Sequence, residues 1–111
     1  MSLLLHRGAD INAVDVKYGT ALAAAASSGS VDVVSLLLDR GADLDPVGGQ
    51  YGTALAAAAF GGRTDIVSLL LDRGADINVV GGKYGTALAA AASAGRTDVV
   101  SLLLEHGADI I

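Results

Sequence analysis

Few side chains in this sequence could carry out catalysis or bind a metal. The 111 residues contain no Cys, and the two histidines, His6 and His106, take equivalent positions near opposite ends of a repeating sequence. Ser35, Ser68 and Ser101 lie within predicted helices with no His nearby to activate a hydroxyl, so we interpret them as solvent-facing or small packing residues. An enzyme needs a nucleophile, a poised acid or base, or a metal held in a pocket. The sequence therefore predicts no catalytic site, no metal site and no cofactor.

Two kinds of loop segment resemble ligand-binding motifs but lack essential parts. Asp43-x-Asp45 and Asp76-x-Asn78 resemble a calcium loop without its third acidic ligand and its distal Glu. Residues 81–86 resemble a phosphate loop without the Gly-Lys-Thr sequence or the preceding buried strand. We interpret the aspartates as acceptors of turn amides and the glycine-rich segments as loop tips.

The composition indicates one small domain with an aliphatic core. The chain is 52% hydrophobic but only 4% aromatic, with 12 acidic and 7 basic residues and a formal charge of -5. The length fits one domain. The aliphatic content excludes a disordered acidic tail, and the missing Cys excludes a disulfide scaffold. The acidic excess leaves no clustered positive face for nucleic acid.

Nothing in the sequence indicates export or membrane insertion. No uninterrupted apolar run approaches the roughly 20 residues of a membrane span. The apolar start at residues 1–5 is followed at once by His6 and Arg7, which is too short for a signal peptide. We therefore expect a cytoplasmic protein, with the nucleus as the alternative, and no membrane partner.

The sequence repeats itself every 33 residues, and a period of this kind decides the fold. Gly-Ala-Asp occurs at 8–10, 41–43, 74–76 and 107–109, and Tyr-Gly-Thr-Ala-Leu occurs at 18–22, 51–55 and 84–88. Residues 48–80 and 81–111 differ at seven of 31 aligned positions. The differing pairs are Gln50/Lys83, Phe60/Ser93, Gly61/Ala94, Ile66/Val99, Asp72/Glu105, Arg73/His106 and Asn78/Ile111. The chain is a tandem array.

The sequence of each repeat predicts a first helix, a second helix and a loop. The first helix starts at a Thr N-cap, contains four alanines of high helix propensity and ends at a Gly. The second starts near an Asp, which suits the positive end of the helix dipole, and ends before a Gly preceded by Arg or His. The N-cap threonines are Thr20, Thr53 and Thr86, and the glycines that end the first helices are Gly29, Gly62 and Gly95. The aspartates at the start of the second helices are Asp32, Asp65 and Asp98, and the glycines that follow these helices are Gly41, Gly74 and Gly107. Residues 42–51 and 75–84 predict a turn or hairpin-like loop.

The alanine-rich first helices account for the low aromatic content. A helix of small side chains is thin, so neighbouring helices can approach closely. We therefore expect the core to lie between repeats and to need few large side chains.

The repeat resembles an ankyrin repeat over the whole chain. The shared pattern is Gly-Thr-x-Leu-x-x-Ala-Ala, then Gly, then Ile/Val-Val-x-x-Leu-Leu, then Gly-Ala-Asp-Ile-Asn. The resemblance implies one all-α domain over residues 1–111, an ankyrin-repeat solenoid (alpha horseshoe) of paired antiparallel helices with hairpin-like loops. It divides the chain into a partial repeat, 1–14, and the repeats 15–47, 48–80 and 81–111.

The sequence departs from the common ankyrin pattern in two places. Thr-Ala-Leu-Ala replaces Thr-Pro-Leu-His, so the Pro suited to the first helical turn and a His that usually hydrogen-bonds between repeats are both absent. Gly-Gly-x-Tyr-Gly, at 48–52 and 81–85, replaces an Asp and a single Gly. This variant in near-identical copies resembles the ankyrin arrays of filamentous fungi. A consensus-designed ankyrin scaffold would show the same near-identity.

The resemblance implies a non-catalytic scaffold that binds a protein partner through its loop tips and the concave face of its first helices. The candidate contact residues are Lys17, Tyr18, Ser27, Ser28, Gln50, Tyr51, Phe60, Lys83, Tyr84 and Ser93. Four of the seven differing pairs lie on or near this face, at positions 50, 60, 61 and 73. This distribution is consistent with a constant frame that carries an adjustable surface.

The aromatic residues of this face have two interpretations. Tyr18, Tyr51 and Tyr84 could contact a partner, where Tyr is favoured, or each ring could cover the neighbouring loop and fix the repeat spacing. Their identity in all three repeats favours the structural interpretation. Phe60 is the only Phe, and Ser replaces it in both neighbouring repeats. A partner anchor and a packing residue remain equally open for this position.

Both ends of the sequence are strongly apolar, at residues 3–5 and 110–111. Solenoid arrays need polar terminal caps for solubility. We therefore expect either a part of a longer array or an end-to-end homo-oligomer. A self-assembling structural element is the alternative to a partner-binding module.

Overall fold

The computed structural model describes residues 20–44 and 47–108. Within them the chain forms six helices, α1 (Ala21–Ser28), α2 (Val31–Asp39), α3 (Ala54–Phe60), α4 (Thr64–Asp72), α5 (Ala87–Ser93) and α6 (Thr97–Glu105). The described part contains two isolated antiparallel bridges but no β-strand of several residues. The predicted all-α architecture, with one helix pair in each repeat, is confirmed.

A threonine hydroxyl starts each first helix, as predicted. Oγ1 of Thr20, Thr53 and Thr86 accepts a hydrogen bond from the amide three residues later, at 3.1 Å in each case. A bond of this kind satisfies one of the amides that have no partner in the first helical turn. The same local signal therefore fixes the start of α1, α3 and α5.

The ends of the first helices differ slightly between repeats. α1 extends through Ser28, whose hydroxyl donates to a carbonyl oxygen of the preceding turn at 3.0 Å. Gly61 and Ala94 occupy the equivalent position in the next two repeats and have no such hydroxyl, and there α3 and α5 end one residue earlier. The predicted terminal Gly is thus right for α1, whereas Gly62 and Gly95 lie one residue beyond the C-caps of α3 and α5.

The second helices end in a left-handed glycine, as predicted. Gly41, Gly74 and Gly107 have φ values of 90°, 93° and 92°, which Gly adopts at no steric cost. The amide after each of them donates to a carbonyl oxygen five residues back, at 2.9 to 3.0 Å. These bonds satisfy carbonyl groups that would otherwise lack a partner at the helix end. The Asp of each second helix lies in its first turn.

The core lies between the first helices of successive repeats. α3 packs between α1 and α5, and every residue of Ala54–Ala59 is at most 3% exposed. The largest fully buried side chains are aliphatic: Leu22, Leu37, Leu55, Ile66, Leu70, Leu103, Val34, Val67 and Val99. No aromatic ring is fully buried in the described part. Close packing of small side chains between repeats therefore builds the core, and the molecule is elongated, 42 × 24 × 19 Å.

The loops form hairpins that stack on each other. The amide of Gly48 donates to the oxygen of Gly52 at 2.8 Å, and residues 81 and 85 repeat this bond at the same length. A Cβ at Gly52, where φ is 88°, would lie 2.7 Å from the carbonyl carbon of Gly81. A Cβ at Gly82 would collide with the backbone between Tyr51 and Gly52. The glycines of the Gly-Gly-x-Tyr-Gly variant thus allow backbone-to-backbone contact between the hairpins of neighbouring repeats.

Candidate interaction surface

The predicted contact residues that the structure describes lie at the hairpin tips and at the ends of the first helices, and we call this surface the loop-tip face. Lys17 and Tyr18 lie outside the described residues. Of the others, Ser28, Gln50, Lys83 and Ser93 are exposed, whereas Ser27, Tyr51, Phe60 and Tyr84 are half-buried. The structure therefore leaves every described candidate at least partly accessible.

Three rings of the loop-tip face form a cluster, which we call the aromatic cluster: Tyr51, Phe60 and Tyr84. The ring centroid of Phe60 lies 5.0 Å from that of Tyr51 and 4.8 Å from that of Tyr84. The two tyrosine rings are 6.3 Å apart and almost parallel, at 13°. Distances and offsets of this kind are favourable for aromatic pairs. Phe60, at the end of α3, thus connects the hairpin of its own repeat with the hairpin of the next.

Lys83 and Gln50 occupy equivalent positions at the two hairpin tips. The main-chain amide of Lys83 donates to the carbonyl oxygen of Gln50 at 2.8 Å. The Nζ atom of Lys83 lies 5.7 Å from the centroid of the Tyr84 ring, within the range of a cation–π contact. The backbone of this pair therefore fixes the hairpin spacing, and the Lys83 side chain places a cation at the edge of the aromatic cluster.

The predicted serines do not join the aromatic cluster. Ser27 and Ser93 take the position of Phe60 in the other two repeats, and no hydrogen bond connects either side chain to the described part of the chain. Ser28 uses its hydroxyl within α1. The loop-tip face is therefore uneven along the solenoid, since its one large apolar contribution from a first helix comes at Phe60.

Two arginines that no sequence motif singles out connect neighbouring repeats beside this face. The Nε atom of Arg96 donates to the carbonyl oxygen of Phe60 at 3.0 Å. A Cβ at Gly62 would lie 3.0 Å from the Arg96 side chain, and one at Gly29 would lie 2.9 Å from that of Arg63. A cation at this end of a helix is favourable because the free carbonyls carry partial negative charge. Their position directly after the Gly that follows each first helix is the signal that could have identified them.

The described residues that were considered for catalysis or metal binding do not form a cluster. Ser35 and Ser68 are half-buried, and Ser101 is exposed. The Nδ1 atom of His106 lies 2.9 Å from the carbonyl oxygen of Leu102 at the end of α6. His6 and Asp45 lie outside the described residues. Within the described ranges, no group of three or more His, Cys, Asp or Glu side chains is placed to hold a metal ion.

Two further surface properties can be stated for the part of the chain that is described. A shallow cleft of about 370 Å³ lies between the turn from α3 to α4 and the turn from α5 to α6. It is open and mostly polar, and its charged lining residues are Arg96 and Asp98. None of the described helices combines the length and the apolar character needed to cross a membrane.

Stacked helix pairs with projecting hairpins define the class of this protein, a helical-repeat solenoid. The sequence matches the family model described as ankyrin repeats (3 copies) over residues 1–81 and again over 50–111. The chain belongs to the ankyrin repeat family. No curated protein gives a significant match to the sequence. Ankyrin repeats are generally protein–protein interaction modules, and the family is typically non-enzymatic.

Proposed function

We propose that this protein is a non-catalytic scaffold that binds a protein partner through its loop-tip face. The aromatic cluster is the observation that carries the proposal. Two of its rings, those of Tyr51 and Tyr84, come from a position that is Tyr in all three repeats. The third, Phe60, comes from a position that is Ser in the other two repeats. A rigid, partly exposed aromatic group of this kind is the type of surface that contributes most binding energy at protein interfaces.

The frame around the cluster supports a binding role because backbone hydrogen bonds tie its hairpins together. The stacked hairpins, joined by the bond between Lys83 and Gln50, hold the tips at a fixed spacing. The first helices below them present Ala, Ser and Phe side chains and the half-buried Leu88 at their surfaces. A pre-organised surface loses little conformational entropy when a partner binds. The proposal also includes residence in the cytoplasm or nucleus, as predicted from the sequence.

The experiment that tests this proposal is site-specific photo-crosslinking. The photoreactive residue p-benzoylphenylalanine is placed at Gln50, on a hairpin tip, and in a separate preparation at Ser101, on α6. Both side chains are exposed, so a partner can reach either position. Each preparation is irradiated in an extract of cells that express the protein, and crosslinked proteins are identified by mass spectrometry.

We expect the same partner to be crosslinked repeatedly from Gln50 and not from Ser101. Crosslinks to one partner that form only at Ser101 would place the interface on the second helices and contradict the proposal. Crosslinks from either position to the protein itself would point to self-association.

A second candidate function, end-to-end self-assembly, is favoured by the outward face of α5 and α6. Ala89 and Ala92 are exposed, whereas Ala56 and Ala59, their equivalents in α3, are fully buried by the next repeat. Leu104 is 41% exposed. A second copy could cover this face much as α5 covers α3. The test is sedimentation velocity over a wide concentration range with the wild type and an Ala92→Glu variant.

Self-assembly predicts a concentration-dependent increase in the sedimentation coefficient that Ala92→Glu abolishes. A strict monomer at high concentration would contradict it. Phe60→Ser is the matched control, because it alters the loop-tip face and leaves the outward face of α5 and α6 intact.

A further inference from the structure

Phe60 gives the loop-tip face one local apolar centre. Its ring is half-buried and packs on both tyrosines, while Ser27 and Ser93 offer only small polar groups at the same position. An apolar or aromatic side chain of a ligand can pack on these three rings, where the hairpins of two repeats meet at the end of α3. Burial of apolar area there supplies a non-directional attraction of roughly 25 cal/mol per Å².

The charges around this centre differ in sign from the rest of the molecule. The chain has a net charge of -5, yet residues 47–62 and 77–95 contain no Asp or Glu. The acidic residues of the described helices all lie on the second helices: Asp32, Asp39, Asp65, Asp72, Asp98 and Glu105. Two cationic side chains lie beside the aromatic cluster: Lys83, over the Tyr84 ring, and Arg96, which donates to the carbonyl oxygen of Phe60. The two segments that carry the aromatic cluster thus hold no negative charge and positive charge borders them, while Asp98 lines the same cleft as Arg96.

These two cations keep their charges available for a ligand. The one ion pair within the described part of the chain joins Arg73 to Asp39 across two second helices, at 3.3 Å. Lys83 instead lies over the Tyr84 ring, and Arg96 donates to a neutral carbonyl oxygen. A carboxylate that approaches either group replaces no existing ion pair, whereas a basic group is repelled by both.

We propose, on the basis of the function proposed above, that the occupant of this face is an acidic segment of a protein partner. The segment carries an aromatic or large aliphatic side chain that packs on Phe60, with an Asp or Glu a few residues away that faces Lys83 or Arg96. A cationic side chain is disfavoured as the anchor because two cations, Lys83 and Arg96, already border the aromatic cluster.

The test is selection from a random dodecapeptide display library on the immobilised 111-residue protein. The amino-acid composition of the enriched peptides is compared with that of the unselected library. A representative peptide is then synthesised, with a second version in which each Asp or Glu is replaced by Asn or Gln. Both are titrated by fluorescence anisotropy against the wild type and three variants. Sedimentation velocity of the protein alone is measured in parallel.

The variants take their residues from the neighbouring repeats, so each substitution is already compatible with the fold. Phe60→Ser uses the residue of positions 27 and 93, and Lys83→Gln uses that of position 50. Arg73→His uses the residue of position 106 and is the control. The comparison of the repeats placed this position near the loop-tip face, but in the structure Arg73 follows the end of α4 and pairs with Asp39 at the end of α2, so the variant removes a positive charge from the second helices. Circular dichroism checks that each variant is folded.

We expect the enriched peptides to combine an aromatic or aliphatic residue with an excess of Asp and Glu. Phe60→Ser should weaken binding about tenfold or more, because loss of a central anchor is costly. Lys83→Gln should weaken binding of the acidic peptide about threefold to fivefold and leave the amide version unchanged. Arg73→His should leave both affinities unchanged. If Phe60→Ser does not fold, the comparison of Lys83→Gln with Arg73→His still decides the result.

Several results would overturn the inference. Neutral or basic peptides that still depend on Phe60 would contradict the acidic segment and leave the proposed function intact. Peptides that bind the wild type and Phe60→Ser equally would contradict both. Failure to enrich any peptide, or a concentration-dependent dimer that Phe60→Ser abolishes, would rule out an acidic peptide segment as the occupant.

Discussion

The amide of Lys83 donates to the carbonyl oxygen of Gln50 at 2.8 Å, and through this bond the hairpin of one repeat rests on the hairpin of the next. The contact is possible because glycines face each other across the junction, at Gly52 and at residues 81–82. The hairpins are therefore part of the packed array and not merely links between helices. The same junction holds the rings of Tyr51 and Tyr84 almost parallel, with the Phe60 ring in contact with both.

Because of this junction, we expect Gly52→Ala and Gly85→Ala to lower the free energy of unfolding by different amounts. Gly52 and Gly85 have almost the same φ, 88° and 90°, but a Cβ at Gly52 would meet backbone of the next repeat, whereas one at Gly85 would meet nothing within 4 Å. Gly85→Ala should cost about 1 kcal/mol or slightly more, from the left-handed conformation alone. Gly52→Ala should cost a further 1 to 3 kcal/mol or so, because the clash forces a backbone shift.

Urea denaturation of both variants measures this difference in the free energy of unfolding. Equal losses at the two positions would show that the hairpins do not stack as described.

Phe60→Ser should lower the free energy of unfolding by about 1 to 2 kcal/mol. The substitution removes two ring contacts, each worth about 0.5 to 1.5 kcal/mol, from a side chain that is only half-buried. The control is Ser93→Ala, at the equivalent and exposed position, which should change stability by less than about 0.5 kcal/mol. Thermal unfolding followed by circular dichroism measures both. A Phe60→Ser variant as stable as the wild type would mean that the aromatic cluster makes no contribution to packing.

We expect two substitutions of Arg96, to Ala and to Ser, to differ in their effect on the free energy of unfolding. Arg96→Ala removes the hydrogen bond to the Phe60 carbonyl oxygen and should cost about 0.5 to 1 kcal/mol. Arg96→Ser removes the same bond but supplies an N-cap to α6, as Ser30 does for α2 by accepting from the amide of Val33. Since such caps are worth about 1 kcal/mol, the Ser variant should be the more stable of the two in urea denaturation. The reverse order would contradict the N-cap equivalence of the repeats.

The threonine caps predict a dependence on the hydroxyl group. Thr53 is 5% exposed, and its Oγ1 accepts from the amide of Ala56 at 3.1 Å. Thr53→Ala should cost about 1 to 2 kcal/mol, since the amide then lacks its partner inside the array. Thr53→Ser keeps the acceptor and should cost clearly less. Chemical denaturation of the pair decides the matter, and equal losses would show that the methyl group, not the hydroxyl, matters at this position.

The helices could be predicted from sequence because their determinants are local. The hydroxyl of Thr20, Thr53 or Thr86 acts on an amide three residues away, and Gly41, Gly74 or Gly107 adopts a positive φ directly after a helix. The 33-residue period then implies that each repeat packs on the next. A core of small side chains follows from the alanine blocks.

The aromatic cluster could not be predicted in the same way. Whether Phe60 touches Tyr51 and Tyr84 depends on the angle between the hairpins and the first helices, which no local pattern encodes. The contact of Arg96 with the carbonyl oxygen of Phe60 joins consecutive repeats and leaves no mark beyond its position after a Gly. Comparison of the repeat sequences identified Phe60 as exceptional, but its contacts with Tyr51, Tyr84 and Arg96 could be established only from the structure.

In the proposed function, partner recognition depends on the loop-tip face and, within it, on Phe60. The most direct test is isothermal titration calorimetry of the crosslinked partner, once identified, with the wild type, Phe60→Ser and Arg73→His. We predict a dissociation constant at least about tenfold higher for Phe60→Ser, equivalent to roughly 1.4 kcal/mol, and a change of less than about twofold for Arg73→His. An unchanged dissociation constant for Phe60→Ser, or an equal loss of affinity in Arg73→His, would contradict the account.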